Sequence, residues 1–309
     1  MLPLCDLADE VVGSYGIAVG RLPGTRGFGM ETLTDSTVVV TGGASGIGLA
    51  LARGFAAEGC RVVIADVEAA ALDAALPFLP RESLAVRTDV SRIDDVEALA
   101  TATLERFGSV DILCNNAGVS TFNLLQHQTL DDWRWVLDVN LWGVVHGVQT
   151  FVPIMRRQGT PAHVVNTASA AGLMSGLAYL GPYAVSKVGV VSLSETLRAE
   201  LAAEGAPIGV SVLCPGFTNT NVMEAERNRP EDLGTETRTE ASQQFVDFIK
   251  GSFTAEEGKE PDDVAAQVID AVHDDRFWVV SHAGVDAALE PRFAEILDAC
   301  RGRGEIGAP

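Results

Sequence analysis

The sequence predicts an α/β fold, a doubly wound parallel sheet with helices on both faces. Three observations carry that expectation. From residue 36, short β-branched runs alternate with helical stretches, as in parallel sheets wrapped by crossover helices. The first run, Thr37 to Val40, leads into the glycine-rich turn Thr41-Gly42-Gly43-Ala44-Ser45-Gly46-Ile47-Gly48 and then a helix. Small polar residues also gather at the predicted strand ends, where such sheets bind ligands.

Each element has its own justification. Leu49, Leu51, Ala52, Phe55 and Ala56 are spaced as one face of a helix. Arg61 to Ala65 and Ser83 to Thr88 read as strands, with a helix from Val67 to Phe78 between them. A helix from Ile93 to Phe107 and a strand from Val110 to Cys114 follow. One long helix is expected from about Asp131 to Arg157, then a strand from Ala162 to Thr167. Tyr183 to Glu204 reads as a helix and Ile208 to Cys214 as a strand. An acidic, loop-like stretch precedes a helix near Pro261 to His273 and a short strand from Phe277 to Ser281. The expected organisation is a single domain over 34–283 with a helical or loop lid at 221–258. Residues 284–309 are expected to form a C-terminal helix and tail. Residues 1–33 read as an N-terminal extension, loose or arising from an upstream start; the alternative is an arm clasping a neighbouring subunit.

The chemistry-bearing residues fall at the strand ends. A pyrophosphate must approach bare backbone N–H groups at a helix N-terminus, and Gly42, Gly46 and Gly48 give that clearance. Asp66 closes the second strand, where a carboxylate accepts hydrogen bonds from an adenosine ribose and repels a 2′-phosphate; it also suits a helix N-cap. Asp89-Val90 closes the third strand and Asn115-Asn116-Ala117-Gly118 the fourth. Tyr183 and Lys187, four apart, share a helix face. An ammonium there favours the phenolate and lowers the Tyr pKa from ~10. Ser169 follows the fifth strand. Asn140 is a polar residue within an apolar helix, and Pro215-Gly216-Phe217-Thr218-Asn219-Thr220 turns the chain after the sixth strand.

In this order and spacing, these residues resemble the short-chain dehydrogenase/reductases over roughly residues 36 to 282. The resemblance implies a Rossmann fold and hydride exchange between a carbinol carbon and nicotinamide. It makes Tyr183 the acid/base and places the substrate oxygen on Ser169. Lys187 lowers the Tyr pKa and binds the nicotinamide ribose, Asn140 holds a water linking Lys187 to solvent, and Thr220 meets the carboxamide. The expected cofactor contacts are Gly42, Ser45, Gly46, Ile47, Gly48, Asp66, Asp89, Val90, Asn116, Gly118, Tyr183, Lys187, Pro215 and Thr220. Two departures stand out: the Ser169-to-Tyr183 interval is one residue longer than the family's, and Thr167-Ala168-Ser169 replaces a double serine.

Composition narrows the partners. Of 309 residues, 22 are basic and 42 acidic, and the net charge of −20 opposes nucleic acid binding. No uncharged apolar stretch approaches the ~20 residues of a membrane span. The five cysteines, Cys5, Cys60, Cys114, Cys214 and Cys300, show no C-x-x-C spacing and are expected as thiols in a reducing, cytoplasmic setting. The five histidines show no metal-ligand spacing. Trp133, Trp135 and Trp142 are expected to pack, including across a homo-oligomer interface.

NAD is expected over NADP, because the glycine turn carries no Arg or Lys and Val67 follows Asp66. The substrate is expected to be a small molecule: a medium-to-large apolar secondary alcohol or ketone, such as a terpenoid, steroid-like or alicyclic compound. Leu173, Met174, Leu177, Tyr179, Leu180, Phe217, Val222 and Met223 flank Tyr183 and supply the apolar wall. Arg227 and Arg229 in the lid suit either an anion or ordinary ion pairing. The competing functions are a 3-oxoacyl thioester reductase and a catalytically idle dinucleotide sensor or scaffold.

Overall fold

The computed structural model describes residues 29–174, 176–235, 237–253 and 258–301. Cys5 and most of the expected N-terminal extension lie outside the described residues. The strands are β1 (Thr37–Thr41), β2 (Arg61–Asp66), β3 (Leu84–Arg87), β4 (Ile112–Asn115), β5 (Ala162–Thr167), β6 (Ile208–Cys214) and β7 (Trp278–Val280). All pair in parallel, in the order β3-β2-β1-β4-β5-β6-β7. β1, β5 and β6 are buried at every residue, as strands covered on both faces must be. The order reverses between β1 and β4, the switch point at whose carboxyl ends such sheets bind ligands.

Helices α1 (Gly46–Ala57), α2 (Ala69–Ala75), α3 (Ile93–Phe107), α4 (Leu130–Leu137), α5 (Gly143–Gln158), α6 (Ala170–Met174) and α7 (Gly181–Glu204) precede β6. After it come α8 (Glu240–Phe253), α9 (Pro261–Asp274) and α10 (Val285–Arg301). Side chains alternate along each strand, so Val38 and Val40 face one layer and Val39 the other. The first layer packs Leu51 and Phe55 of α1 with Val264, Val268 and Val272 of α9. The second packs Leu99 of α3, Phe151 and Met155 of α5, and Leu197 and Leu201 of α7.

Three elements differ from expectation. The helix expected from Val67 to Phe78 is only α2 followed by a 3₁₀ turn at Leu76–Phe78, where Pro77 offers no N–H for an α-helical bond. The long helix splits into α4, a π-helical turn at Asp138–Trp142, and α5. Thr129 starts it with a capping box that also engages Asp132. The segment beyond β6 is more helical than its charge suggests, with 3₁₀ turns at Asn221–Asn228 and Glu231–Leu233 before α8. Met30 and Leu33 are buried in the core, so the packed body begins before residue 34. Cys60, Cys114 and Cys214 are buried free thiols and Cys300 is an exposed one.

Candidate active site

The glycine turn forms a cradle that side chains would close. Gly42 and Gly46 adopt φ +61 and +50, the left-handed region that favours glycine. A Cβ on Gly48 would lie 2.0 Å from the Gly42 carbonyl oxygen, and one on Gly46 3.0 Å from Thr220 Cγ2. Ser45 precedes α1 without a side-chain cap bond, which leaves the first-turn N–H groups of α1 without a side-chain cap. Open N–H groups and bare glycines suit a dinucleotide pyrophosphate, so the residues present fit that group.

The strand ends form the wall beside this cradle. Asp66 accepts hydrogen bonds from the backbone N–H of Ala44 (3.2 Å) and Glu68 (3.1 Å). It does not cap the next helix, because α2 begins only at Ala69, after Glu68. Burial raises the Asp66 carboxyl pKa, opposed by the bonds from Glu68 and Ala44. Asp89 accepts from the Ser91 backbone and hydroxyl. Val90 accepts the His146 Nδ1–H bond at its carbonyl (2.9 Å). Asn116 donates from Nδ2 to the Thr41 carbonyl (3.1 Å) and accepts from Thr167 Oγ1 (3.3 Å), lacing β4, β1 and β5 together. Its neighbour Asn115 instead donates to Asn166, which donates to Ser194 on α7; this chain is structural and buried.

The catalytic candidates converge at the ends of β5 and β6. Lys187 on α7 is buried and donates from Nζ to the Thr167 carbonyl (2.8 Å), with Nζ 5.7 Å from the Tyr183 ring centroid. The Tyr183 oxygen shares a hydrogen bond with Ser169. Ser169 Oγ also accepts from Ala171 N (3.1 Å), so the extra residue before Tyr183 does not separate the pair. Burial pushes the Tyr183 phenol above its ordinary value, and the Ser169 bond only partly opposes this. The ammonium was expected to lower that pKa; the causes acting on the phenol are instead burial, which raises it, and Ser169, which lowers it. Burial also pulls Lys187 down to about 8, which still leaves it charged at neutral pH.

Asn140 sits in the π-helical turn, fully buried. Its Oδ1 accepts from Val119 N (2.8 Å), while Nδ2 donates to the Val119 carbonyl (2.9 Å) and Ser186 Oγ (3.1 Å). Its amide is therefore committed to protein partners. Gly118 adjoins both groups: a Cβ there would make ordinary contacts at 3.5 Å with Asn140 Oδ1 and Lys187 Nζ. The Pro215 carbonyl accepts from Ala170 N (2.8 Å), and Thr220 leads into the Asn221–Asn228 turn.

These groups line one cleft of about 1080 Å³. Gly42, Ser45, Gly46, Ile47, Asp66, Asp89, Val90, Asn116, Gly118, Pro215 and Thr220 all face it, as do Ser169, Tyr183 and Lys187; Gly48 and Asn140 support it from behind. Beyond Tyr183 the wall includes Trp135, Met174, Tyr179, Met223 and Phe245. Tyr179 stacks on Phe245 at 4.8 Å between centroids.

Some cleft residues carried no signal in the sequence. His282 reaches back to the turn after β6: Gly216 N donates to its Nδ1 (3.0 Å), and its Nε2 donates to the Phe217 carbonyl (2.6 Å). That contact spans 66 positions in the chain and no spacing rule foretells it. Arg227 pairs with Glu68 and Arg229 with Asp132, resolving both lid arginines as ion-pair partners.

Comparison with known proteins bears on the family and the fold. The short chain dehydrogenase family pattern matches residues 36–231. A protein of Sphingobium sp. named C alpha-dehydrogenase is 35% identical over 273 residues, covering 87% of this chain and 88% of its own length. The 1-deoxy-11-beta-hydroxypentalenate dehydrogenase of Streptomyces arenae is 36% identical, covering 84% of this chain and 86% of its own. The crystal structure of a short chain dehydrogenase/reductase from Burkholderia phymatum in complex with NAD superposes with a TM-score of 0.83. It is 38% identical and covers 91% of this chain and 99% of its own.

Proposed function

The chain belongs to the short chain dehydrogenase family, and on that premise we propose that it interconverts a medium-to-large apolar secondary alcohol and its ketone, with NAD as cofactor. The observation that carries the reading is buried Ser169 and Lys187 with half-buried Tyr183 between them, facing an apolar cleft wall. Bound nicotinamide supplies or accepts the hydride. The chain's own residues do the rest.

Tyr183 holds a proton at its phenol oxygen at neutral pH, since burial raises its pKa. In reduction it donates that proton to the carbonyl oxygen; in oxidation it takes the hydroxyl proton. Ser169, already bonded to Tyr183, fixes the same substrate oxygen. The Lys187 ammonium stabilises negative charge as it develops on Tyr183. Proton transfer of this kind is worth ~10²–10⁴ in rate. Asn140 pins the wide turn to Val119 and Ser186, so a water relay from Lys187 must use its main-chain carbonyl rather than its amide.

An apolar substrate is supported by Trp135, Met174, Met223 and Phe245, and by the pairing of Arg227 and Arg229 with carboxylates. One relative is named for a hydroxypentalenate. A homo-oligomer working in the cytoplasm completes the reading, and exposed Trp142, Val185 and Val188 offer an apolar face for the subunit contact. The test is turnover of a bulky alicyclic alcohol against a short hydroxyacyl thioester, followed by nicotinamide absorbance with NAD and with NADP. Turnover of the alcohol with NAD is expected. Turnover confined to the thioester overturns the substrate reading, and a preference for NADP overturns the cofactor reading.

A further inference from the structure

We propose that Glu68 is a cofactor-selecting residue, which keeps Arg227 from serving as a 2′-phosphate site. The inference rests on the reading of the cleft as a nicotinamide dinucleotide site. Asp66, Val67 and Glu68 run along the adenosine wall of the cleft, and Arg227 and Asn228 of the lid stand opposite on the same cleft. One oxygen of Glu68 takes Arg227 Nε at 3.0 Å, Arg227 Nη2 at 3.0 Å and Asn228 Nδ2 at 2.8 Å. Arg227 Nη1 donates to the carbonyls of Asn221 (3.0 Å) and Glu224 (2.9 Å). Every nitrogen of this guanidinium therefore has an acceptor.

Asp66 alone repels a 2′-phosphate, but an arginine delivered by a lid can offset one carboxylate. This chain delivers such an arginine to the right wall and then neutralises it. Glu68 adds a second negative charge two residues beyond Asp66 and occupies the fork that a phosphate would need. The pair is partly exposed, 36% for Arg227 and 32% for Glu68, so the fold does not depend on it. Removing the Glu68 charge frees Arg227 in place.

A residue that only held the lid would act on both cofactors alike. The experiment therefore measures dissociation constants for NAD and NADP by isothermal titration, on wild type, Glu68→Gln, Arg227→Ala and the double variant. Glu68→Gln is expected to shift the NAD:NADP affinity ratio toward NADP by ~tenfold or more, and the double variant to lose that shift. Arg227→Ala alone should not move the ratio toward NADP. Glu68→Ala repeats the measurement with a different side chain, and circular dichroism checks the fold of each variant. An unchanged ratio in both Glu68 variants, or equal weakening of both cofactors, overturns the selecting role. A shift that survives in the double variant overturns the part assigned to Arg227. Wild type that binds neither dinucleotide overturns the cofactor reading itself, which separates the two failures.

Discussion

Half-buried Tyr183 and buried Lys187 form an acid pair whose protons set the direction of the chemistry. With the phenol raised and the ammonium lowered to about 8, both are protonated at neutral pH. Alcohol oxidation needs the phenolate, so its kcat/KM should climb with pH through and beyond the region near 8. Ketone reduction uses the protonated phenol, which persists through that region, so it should not share the climb. Paired pH–rate profiles check this, and parallel profiles in the two directions would contradict it. Tyr183→Phe should keep dinucleotide binding and lose ~10²-fold or more in turnover, read by titration and by nicotinamide absorbance. Gly48→Ala carries the opposite expectation. Its Cβ meets a backbone carbonyl at 2.0 Å, which no rotamer change relieves, so dinucleotide affinity should collapse while Tyr183 stays in place.

The elements show what could be read in advance and what could not. β1, the glycine turn and α1 were legible because one strand, one turn and one amphipathic face are local patterns. Tyr183 and Lys187 were legible for the same reason, being one turn of one helix apart. The π-helical turn at Asp138–Trp142 was not, since its apolar spacing also suits an unbroken helix; Asn140's bonds to Val119 and Ser186 accompany the wider turn. Nor were the lid anchors legible, because they join residues 97 to 160 positions apart. Arg229 pairs with Asp132 at 2.7 Å, with both side chains at most 5% exposed, and its guanidinium lies over Trp135. Arg229→Met strands the Asp132 carboxylate, at a cost of about 3–5 kcal/mol. The melting temperature should fall, and KM for a bulky alcohol should rise more than the dissociation constant of NAD. Equal change in both would deny the anchor its local role.

At the scale of the whole molecule, His163 couples the sheet to pH. It is fully buried in β5 and bonds Ser211 on β6 at 2.8 Å; Ser211 in turn donates to the Arg276 carbonyl (2.7 Å) just before β7. Burial lowers its pKa from 6.5 to about 3. Below pH 6.5 the unfolded chain takes up a proton that the folded chain refuses, so stability is lost as pH falls from 6.5 toward 3. The contribution is at most ~1.4 kcal/mol per pH unit. His163→Asn should flatten this acid limb in urea unfolding measured at several pH values, relative to wild type. An identical slope would show that His163 is not a source of the acid sensitivity.

The reversal of strand order between β1 and β4 also has a meaning for the growing chain on the ribosome. β1, β2 and β3 can pair as soon as residue 87 has emerged, but the other edge of β1 stays bare until Ile112 to Cys114 arrive to meet Val38 to Val40. During that interval the nascent protein presents the unpaired edge of what becomes an inner strand, rich in valine, to any neighbouring chain. The strand destined for the middle of the sheet is thus, for a time, its most adhesive border, and the pace of translation past residue 114 limits how long aggregation can compete with folding.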